Sequence, residues 1–576
     1  MAFERSALSS IALATLLTAC AHHDLGRFPL AAPVERDPDL DDVQLECKAR
    51  SSKRPACAPE PYESSFSWDA ADNTIFRPVS KALQVDDYGE APNVNALDEV
   101  PNSSWFQNRI GAGPLSPDDV FRGYCSEGPE LESNPTDGSW TIDAGKDNGA
   151  NPGFRVRAND AKFMFKTDDT QPERATAATA IASRLYYAAG WWAPCDSVVY
   201  FKRSALRLKP GLMIKANVGP ARALDEARLD QMLSKTARRG ELYRATASRF
   251  IPGVPLGPFK YEGVRADDPS DVIPHENRRD LRGARLMAAW LDHFDTREQN
   301  TMSTWMPAAT GGAQDRGQVR HWYIDFGDSF GSEWSVDAFS KRHGYSYTLD
   351  FGDIVSDFAT LGAVERPWDR AQRKPGFEIF GYFRAADFDA EAWKGEYPNP
   401  AFGRMTEHDA AWVARIIARF TPEHVAAAVK TGNFTNADHG RYLTQLLLER
   451  QRILLKRYFS KLSPLSDVSI GSASICVRDL ARYARVLPEN SFHYRASVKS
   501  TGAPARWLVV RPMAEGQVCF DLRSASPDST LADSAIERYR IVTIDNGTGA
   551  GPLLLHLYDL GDQRGLRLTG IERPSP

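Results

Sequence analysis

The chain has 576 residues, of which 42% are hydrophobic and 25% are charged, and its formal net charge is −5. This composition is that of an ordinary globular protein and permits three or four domains with proper cores. A nearly neutral chain without basic runs is not expected to have nucleic acid as its main partner.

The N-terminus has the features of a secretion signal. Residues Ala7 to Leu17 are apolar or small, a stretch too short to span a bilayer. It ends in Leu17-Thr18-Ala19-Cys20, which resembles the lipobox of bacterial lipoproteins. The resemblance implies cleavage after residue 19, acylation of Cys20, for example with palmitate, and anchorage in a membrane. Ala21 after the cysteine favours the outer membrane, and a simple secretory signal with a chance cysteine is the alternative.

The cysteine count suits an exported protein. Six cysteines remain besides Cys20, and an even number outside the cytoplasm favours disulfides over buried free thiols. Position along the chain predicts three pairs: Cys47 with Cys57, Cys476 with Cys519, and Cys125 with Cys195 by elimination.

The first part of the chain changes character twice. Residues 20–65 are rich in Asp, Pro, Arg and Ser, which predicts a flexible tether. Residues 66–139 carry aromatic residues between turn signals, which predicts a loop-rich cap. From 140 to 256 half-buried strands are expected, among them Lys162 to Lys166 with its alternating pattern. A helix should follow, opened by Pro172 and Glu173 and ended by Gly190.

The second half is first helical and then β-rich. Residues 257–465 contain periodic apolar positions that predict helices, including one from Asp280 to about Leu291. Residues 466–576 contain short apolar runs separated by turn signals, which predict a small β-sandwich domain. The predicted fold class is therefore α+β.

Two short segments point to chemistry. The first runs from Asp292 to Asn300 and contains Asp295, four residues and then Asn300. The second is an apolar strand that ends in Asp325-Phe326-Gly327. Carboxylate and amide oxygens are the ligands that Mg²⁺ prefers, so Asn300 and Asp325 are candidate metal ligands. Asp295 is the candidate residue that orients or deprotonates a hydroxyl group.

Basic residues complete this predicted site. Lys166 lies at the end of an alternating strand and is the candidate that binds the phosphates of ATP. Lys162 shares the same face of that strand and is the alternative.

The order of these residues resembles the protein-kinase-like superfamily, and most closely its atypical branch of HipA-like kinases and phosphatidylinositol 3/4-kinases. The resemblance covers roughly residues 140 to 460 and implies a small lobe at 140–256 and a helical large lobe at 257–465. It also implies Mg²⁺ and ATP as cofactors, with Glu173 as the acidic partner of Lys166. Arg297 stands where many kinases have a loop lysine, so the resemblance implies that it contacts the transferred phosphate.

The chain departs from the family pattern at three places. Phe294 precedes Asp295 where many kinases have an arginine. Glu173 stands in the first turn of its helix, where a favourable interaction with the helix dipole is an equal explanation. The glycine-rich segment Gly145 to Gly153 does not follow the phosphate-binding pattern and is as readily a hairpin turn.

Two functions remain open on these grounds. The first is an exported, lipid-anchored atypical kinase that phosphorylates a hydroxyl group of a protein or small molecule. The second is a catalytically inactive kinase-like lipoprotein that binds partners at the cell envelope. Three candidate catalytic and metal-binding residues favour the first. The position of Glu173, the missing glycine pattern and the scarcity of ATP outside the cytoplasm favour the second.

Overall fold

The structure is a computed structural model that describes most of the chain. The described residues are 26–45, 58–63, 66–83, 85, 89–129, 131–132, 135–145, 153–168, 171–214, 221–308, 316–331, 336–471, 474–501, 503–522, 537–561 and 564–576. Within these ranges we find no helix that has both the length and the apolar character needed to cross a bilayer.

The N-terminal part contributes few regular elements. They are β1 (Val43–Gln44), α1 (Phe66–Ala71), α2 (Arg77–Leu83) and α3 (Pro117–Arg122).

The predicted tether is partly built into the body of the protein, since residues 26–45 and 58–63 pack against it. Asp39 is buried, accepts a hydrogen bond from Ser104 Oγ at 2.8 Å and lies 3.6 Å from the Arg278 guanidinium. The expectation of a flexible segment is therefore wrong for these residues. Ionic partners far along the chain hold them, and local composition does not reveal such partners.

The small lobe is built on one mostly antiparallel sheet, in which a single pair of strands, at one edge, is parallel. Its strands lie in the order β5-β10-β4-β3-β2-β6, with β9 beside β10. The elements are β2 (Trp140–Gly145), β3 (Gly153–Ala158), β4 (Ala161–Lys166), α4 (Arg174–Ala189), β5 (Asp196–Phe201), β6 (Leu206–Leu208), β7 (Met213–Ile214), β8 (Arg222–Ala223), α5 (Glu226–Ser234), β9 (Arg238–Arg239) and β10 (Leu242–Arg249).

Helix α4 ends where the sequence predicts. Gly190 follows it with φ of 133°, a conformation that L side chains rarely adopt, and its N–H bonds the last carbonyls of the helix. A Cβ at Gly190 would lie 2.2 Å from the Phe106 ring, so glycine is also required by packing.

A second, four-stranded sheet joins the two lobes in the order β1-β13-β12-β11. The large lobe follows it and is mainly helical. The elements are β11 (Val254–Pro255), α6 (Arg279–Leu291), β12 (Thr301–Pro307), β13 (Arg316–Tyr323), α7 (Asp337–Arg342), α8 (Phe351–Thr360), α9 (Pro400–Gly403), α10 (Glu407–Ile417), α11 (Pro422–Lys430) and α12 (Ala437–Tyr458).

The segment predicted to be a cap contributes to the main core instead of covering it. Trp105 and Phe106 are buried in the same apolar cluster as α4, α6 and α10. The Phe106 ring packs edge-on against Trp191 and Trp412, with centroids 5.5 and 5.0 Å apart. Residues 100–120 are thus part of the body that positions the two lobes.

The C-terminal domain is β-rich, as predicted. Its two sheets, β14-β15-β19-β18 and β17-β16-β20-β21-β22, share one apolar core. The elements are β14 (Leu465–Ile470), β15 (Ser474–Asp479), α13 (Leu480–Tyr483), β16 (Arg495–Ser500), β17 (Arg506–Leu508), β18 (Val510–Pro512), β19 (Gln517–Asp521), β20 (Tyr539–Asp545), β21 (Leu553–Asp559) and β22 (Leu566–Glu572).

Two predicted disulfides are present. Cys125 is bonded to Cys195 in the small-lobe region, and Cys476 is bonded to Cys519 across β15 and β19. Cys20, Cys47 and Cys57 lie outside the described residues.

Candidate functional site

One β-ladder brings the two sequence motifs together. Strands β12 and β13 are antiparallel, and the last pair of their ladder joins Thr301 to Tyr323. Immediately beyond it, the Ile324 N–H donates a hydrogen bond to the Asn300 carbonyl at 2.9 Å. Asn300 and Asp325 therefore lie at the same end of the hairpin.

Lys166 reaches this point from the small lobe. Its Nζ lies 2.7 Å from Asp325 Oδ1. Phe163 and Phe165 point into the core on the opposite face of β4, so the predicted alternation is correct. Lys162 lies on an exposed part of the strand. The structure thus places Lys166 beside Asp325, and its contact with a nucleotide stays a prediction.

The loop from Asp295 to Asn300 is held by its own side chains. Asn300 Nδ2 donates a hydrogen bond to the Asp295 carbonyl at 2.8 Å. Arg297 Nε lies 3.1 Å from Asp295 Oδ1. Burial raises the pKa of Asp295, and Arg297 opposes this effect. The loop therefore presents a buried carboxyl group that depends on a nearby cation for its ionised form.

A buried aromatic group joins helix α4 to both motifs. Tyr186, on α4, lies 5.6 Å from the His293 ring and 4.9 Å from the Phe326 ring, and those two rings are 5.2 Å apart. The Tyr186 hydroxyl also bonds His293 Nδ1 at 3.1 Å. Burial lowers the pKa of His293 to about 4, so this histidine is neutral at physiological pH. A shift of α4 would therefore change the packing of His293 and Phe326, one from each motif.

The N-terminal helices rest on the same loop. Arg77, on α2, donates a hydrogen bond to Glu298 at 2.8 Å, and Gln299 bonds the carboxylate of Asp69 on α1. These contacts attach the N-terminal helices to the loop that carries Asp295 and Asn300.

Glu173 is not directed at Lys166. Its carboxylate accepts hydrogen bonds from the Thr435 backbone and hydroxyl and lies 3.8 Å from Arg244. Lys166 is instead paired with Asp325. The expected Lys166–Glu173 ion pair is therefore not found among the described residues, because Glu173 precedes α4 and faces the large lobe. A direct role of Glu173 at the nucleotide stays a prediction.

A carboxyl group that the sequence did not reveal lies near Lys166. Asp196, at the start of β5, is 1% exposed, and its two carboxylate oxygens have no hydrogen-bond partner among the described residues. The registers of β4, β10 and β5 place Lys166 and Asp196 on the same face of the sheet. Burial raises the pKa of Asp196 to about 6, while Lys166 lowers it and Asp325 raises it. No motif marks Asp196, whose position is set by strand pairing.

A second such carboxyl group belongs to Glu396. Its N–H donates a hydrogen bond to the Phe294 carbonyl at 2.8 Å, which places the buried Glu396 close in space to the Asp295 loop. Burial, and then the charge of Asp295, raises the pKa of Glu396 to about 9. Glu396 follows Asp295 by about a hundred residues in the chain, so the local motif carries no signal for it.

The predicted Mg²⁺ ligands fit a nucleotide-bound ion. No group of three or more His, Cys, Asp or Glu side chains in the described ranges is arranged to hold a metal ion. Magnesium in phosphoryl-transfer sites usually takes only one or two protein oxygens and completes its shell with phosphates and water. Because Asn300 Nδ2 is bonded to Asp295, its Oδ1 is the atom left for a metal, beside the partly exposed Asp325 carboxylate.

The remaining predicted features cannot be placed. Most of the glycine-rich segment, residues 146–152, lies outside the described residues, as does Cys20.

The chain is similar in structure to a bacterial kinase over about half of its length. The match is to the crystal structure of the proinflammatory kinase CtkA from Helicobacter pylori, with 12% identity and a TM-score of 0.29. It covers 54% of this chain and 93% of the other. No family model and no curated protein sequence matches the chain.

Proposed function

We propose that the protein is a Mg-nucleotide-dependent phosphotransferase that acts on a hydroxyl group of a protein or small molecule. The observation that carries this proposal is the 2.7 Å contact between Lys166 and Asp325, at the hairpin end that also holds Asn300. A lysine, a carboxylate and an amide oxygen from three chain segments are the groups that phosphoryl transfer needs around a triphosphate.

Each residue has a separate role in the proposed step. Lys166 binds phosphate oxygens, and Asn300 and Asp325 hold Mg²⁺, which when bound neutralises phosphate charge. As the oxygen of the acceptor hydroxyl group bonds to the γ-phosphorus, Asp295 accepts the proton of that hydroxyl group. The bond from that phosphorus to the β–γ bridging oxygen breaks, and the nucleoside diphosphate leaves with both bonding electrons.

Nucleotide binding by the purified chain tests this proposal directly. We expect calorimetry to detect ATP or GTP binding that requires Mg²⁺, and Asp325→Ala to remove it because the metal loses its anionic ligand. Asp230→Ala, which changes an exposed carboxylate on α5, is the control and should bind as the unmodified chain does. Absence of any Mg²⁺-dependent binding would exclude the enzyme.

One observation favours the second candidate, an inactive kinase-like binding module. Glu173 is engaged with Thr435, so among the described residues no carboxylate at the start of α4 pairs with the Lys166 amine, whose partner is Asp325 itself. Nucleotide binding without any phosphoryl transfer, under conditions that saturate the site, would support this candidate over the enzyme.

We also propose that Cys20 anchors the protein in the outer membrane as a lipoprotein. The support is the Leu17 to Cys20 motif at the end of a short apolar segment. In cell fractionation the unmodified protein should follow the membranes and gain the mass of its acyl chains. Cys20→Ser should lose that mass and leave the membrane fraction, and membrane retention by this variant would contradict the anchor.

A further inference from the structure

The first described residues of the chain are fastened to the outer face of the C-terminal domain. Arg27 forms an ion pair with Glu572 on β22. The Phe28 N–H donates a hydrogen bond to the Tyr539 hydroxyl at 3.1 Å, and the Phe28 ring lies 4.7 Å from the His556 ring. The chain therefore enters the body of the protein on the sheet formed by β17, β16, β20, β21 and β22.

The length of chain before this attachment limits how far the sheet can lie from a membrane. Cys20, the proposed acylation site, precedes Arg27 by seven residues. A fully extended chain spans at most about 3.6 Å per residue, so this stretch reaches no further than about 25 Å. A protein anchored through Cys20 would thus hold the outer face of this sheet close to the bilayer.

Strand register places an exposed tryptophan on the same face. Trp507 on β17 is opposite Ser497 on β16, which is opposite Thr543 on β20. Cross-strand partners and alternate residues of one strand point to the same side of a sheet, so Trp507 shares the face that carries Tyr539. Leu508, which has the opposite orientation, is buried in the core between the two sheets. Trp507 is instead 75% exposed.

Cations and a second apolar side chain lie beside this tryptophan. Arg495 and Lys499 are on β16 with the orientation of Ser497, and both are exposed. Neither has an ion-pair partner in the part of the chain that the structure describes. Asp545, opposite Arg495, has its carboxylate bonded to a backbone N–H of the following turn. Val509, directly after β17, is also exposed.

We infer that Trp507, Val509, Arg495 and Lys499 form a membrane-contact edge, which rests on the headgroups of a bilayer that contains anionic lipid. The tryptophan ring suits this interface because most of it is apolar and its N–H is polar, and the cations are attracted to anionic headgroups. Strand β17 lies three strands from β21, about 14 Å at the usual strand spacing, so the edge and Cys20 can reach the membrane together. The inference rests on the proposed anchor and adds a second contact that orients the protein on the membrane.

Hydrogen exchange on the complete acylated protein tests this contact. The protein is placed in vesicles of phosphatidylethanolamine and phosphatidylglycerol, and its exchange is compared with that of the Cys20→Ser chain without vesicles. We expect the amides of the edge strand β17 to exchange more slowly on vesicles, whereas those of α5, in the small lobe, should exchange at equal rates. Equal rates for β17 in the two samples would overturn the inference.

Variants of the chain that cannot be acylated identify the side chains involved. The Cys20→Ser chain should bind the same vesicles, and adding Lys499→Ala should weaken its binding about fivefold, the effect of one cation near an anionic surface. Adding Trp507→Ala should also weaken it. Arg207→Ala, which removes an exposed cation from β6 of the small lobe, is the matched control and should change nothing. Equal losses for Lys499→Ala and Arg207→Ala would show a general charge attraction and contradict the edge.

The anchor and the membrane-contact edge can fail separately. If the unmodified protein carries no acyl chain, the anchor proposal fails, and vesicle binding by the Cys20→Ser chain still decides whether the edge contacts lipid. If the acylated protein follows the membranes but the exchange of β17 is unchanged, the anchor stands and the edge is wrong.

Discussion

Asp295→Asn should bind Mg-nucleotide normally and transfer phosphate about 10²- to 10⁴-fold more slowly, the range that general-base catalysis contributes. Asparagine has nearly the shape of aspartate but cannot take the hydroxyl proton. Binding should survive because Lys166, Asn300 and Asp325, the predicted nucleotide and metal contacts, lie on other segments or hold their places through the β12–β13 ladder. The measurement is calorimetric binding alongside single-turnover transfer of labelled phosphate.

Folding should not account for the lost rate. Asparagine keeps the shape of the buried Asp295 side chain, and Arg297, which loses its carboxylate partner, is partly exposed and stays solvated. Asp230→Asn, on the exposed side of α5, is the matched control and should keep both binding and transfer. Transfer by Asp295→Asn at more than a tenth of the normal rate would remove Asp295 from the proposed role.

Local signals in the sequence were enough to predict the frame of the site. The alternation around Phe163 and Phe165 placed Lys166 on the correct face of β4. Gly190 marked the end of α4. Each of these signals acts within a few residues, so neighbouring chain is all that is needed to recognise it.

The motif pair was predictable for a related reason. Asn300 directly precedes β12, and Asp325 follows β13 with only Ile324 between them. Because the two strands form one antiparallel hairpin, the residues that flank their paired ends must meet. A short connection between two strands thus converts closeness in sequence into closeness in space.

What the sequence could not show depends on contacts between distant segments. Asp196 and Glu396 enter the site from β5 and from the loop before α9, and neither stands in a recognisable motif. The packing of Asp39 against Arg278 likewise turns a polar stretch into part of the body. A charge can be buried by a partner far along the chain while the sequence around it stays polar. From the sequence alone these residues are therefore indistinguishable from exposed ones.

Asp98→Asn should destabilise the fold more than any exposed charge change, by about 3 to 5 kcal/mol, the usual cost of leaving buried partners uncompensated. Asp98 lies 2.6 Å from Arg279, 3.3 Å from Arg415 and 3.1 Å from Arg573, and these arginines are almost completely buried. Arg573 follows β22, so this cluster also attaches the C-terminal domain to the large lobe. Asparagine tolerates the φ of 59° at this position, so the change isolates the charge.

The pH dependence of unfolding identifies the cause. Burial alone would raise the pKa of Asp98, but the three arginines lower it to about 2. A lowered pKa gives stability that is complete above the unfolded value near 3.9 and is lost as pH falls toward 2. The difference in the free energy of unfolding between the unmodified chain and Asp98→Asn, measured with denaturant, should therefore be largest near neutral pH. It should become smaller below about pH 4.

A matched control separates the cluster from a general charge effect. Asp118→Asn removes an exposed carboxylate 2.7 Å from Arg122 on α3, and such surface pairs contribute about 0 to 1 kcal/mol. The cluster would not be the junction of the two domains if Asp98→Asn lowered the free energy of unfolding as little as the control does. A loss that stays the same between pH 7 and 3 would contradict it too. The expected result would instead mean that the C-terminal domain is held to the large lobe by charge as well as by apolar packing, since Arg573 has its carboxylate partner in that cluster.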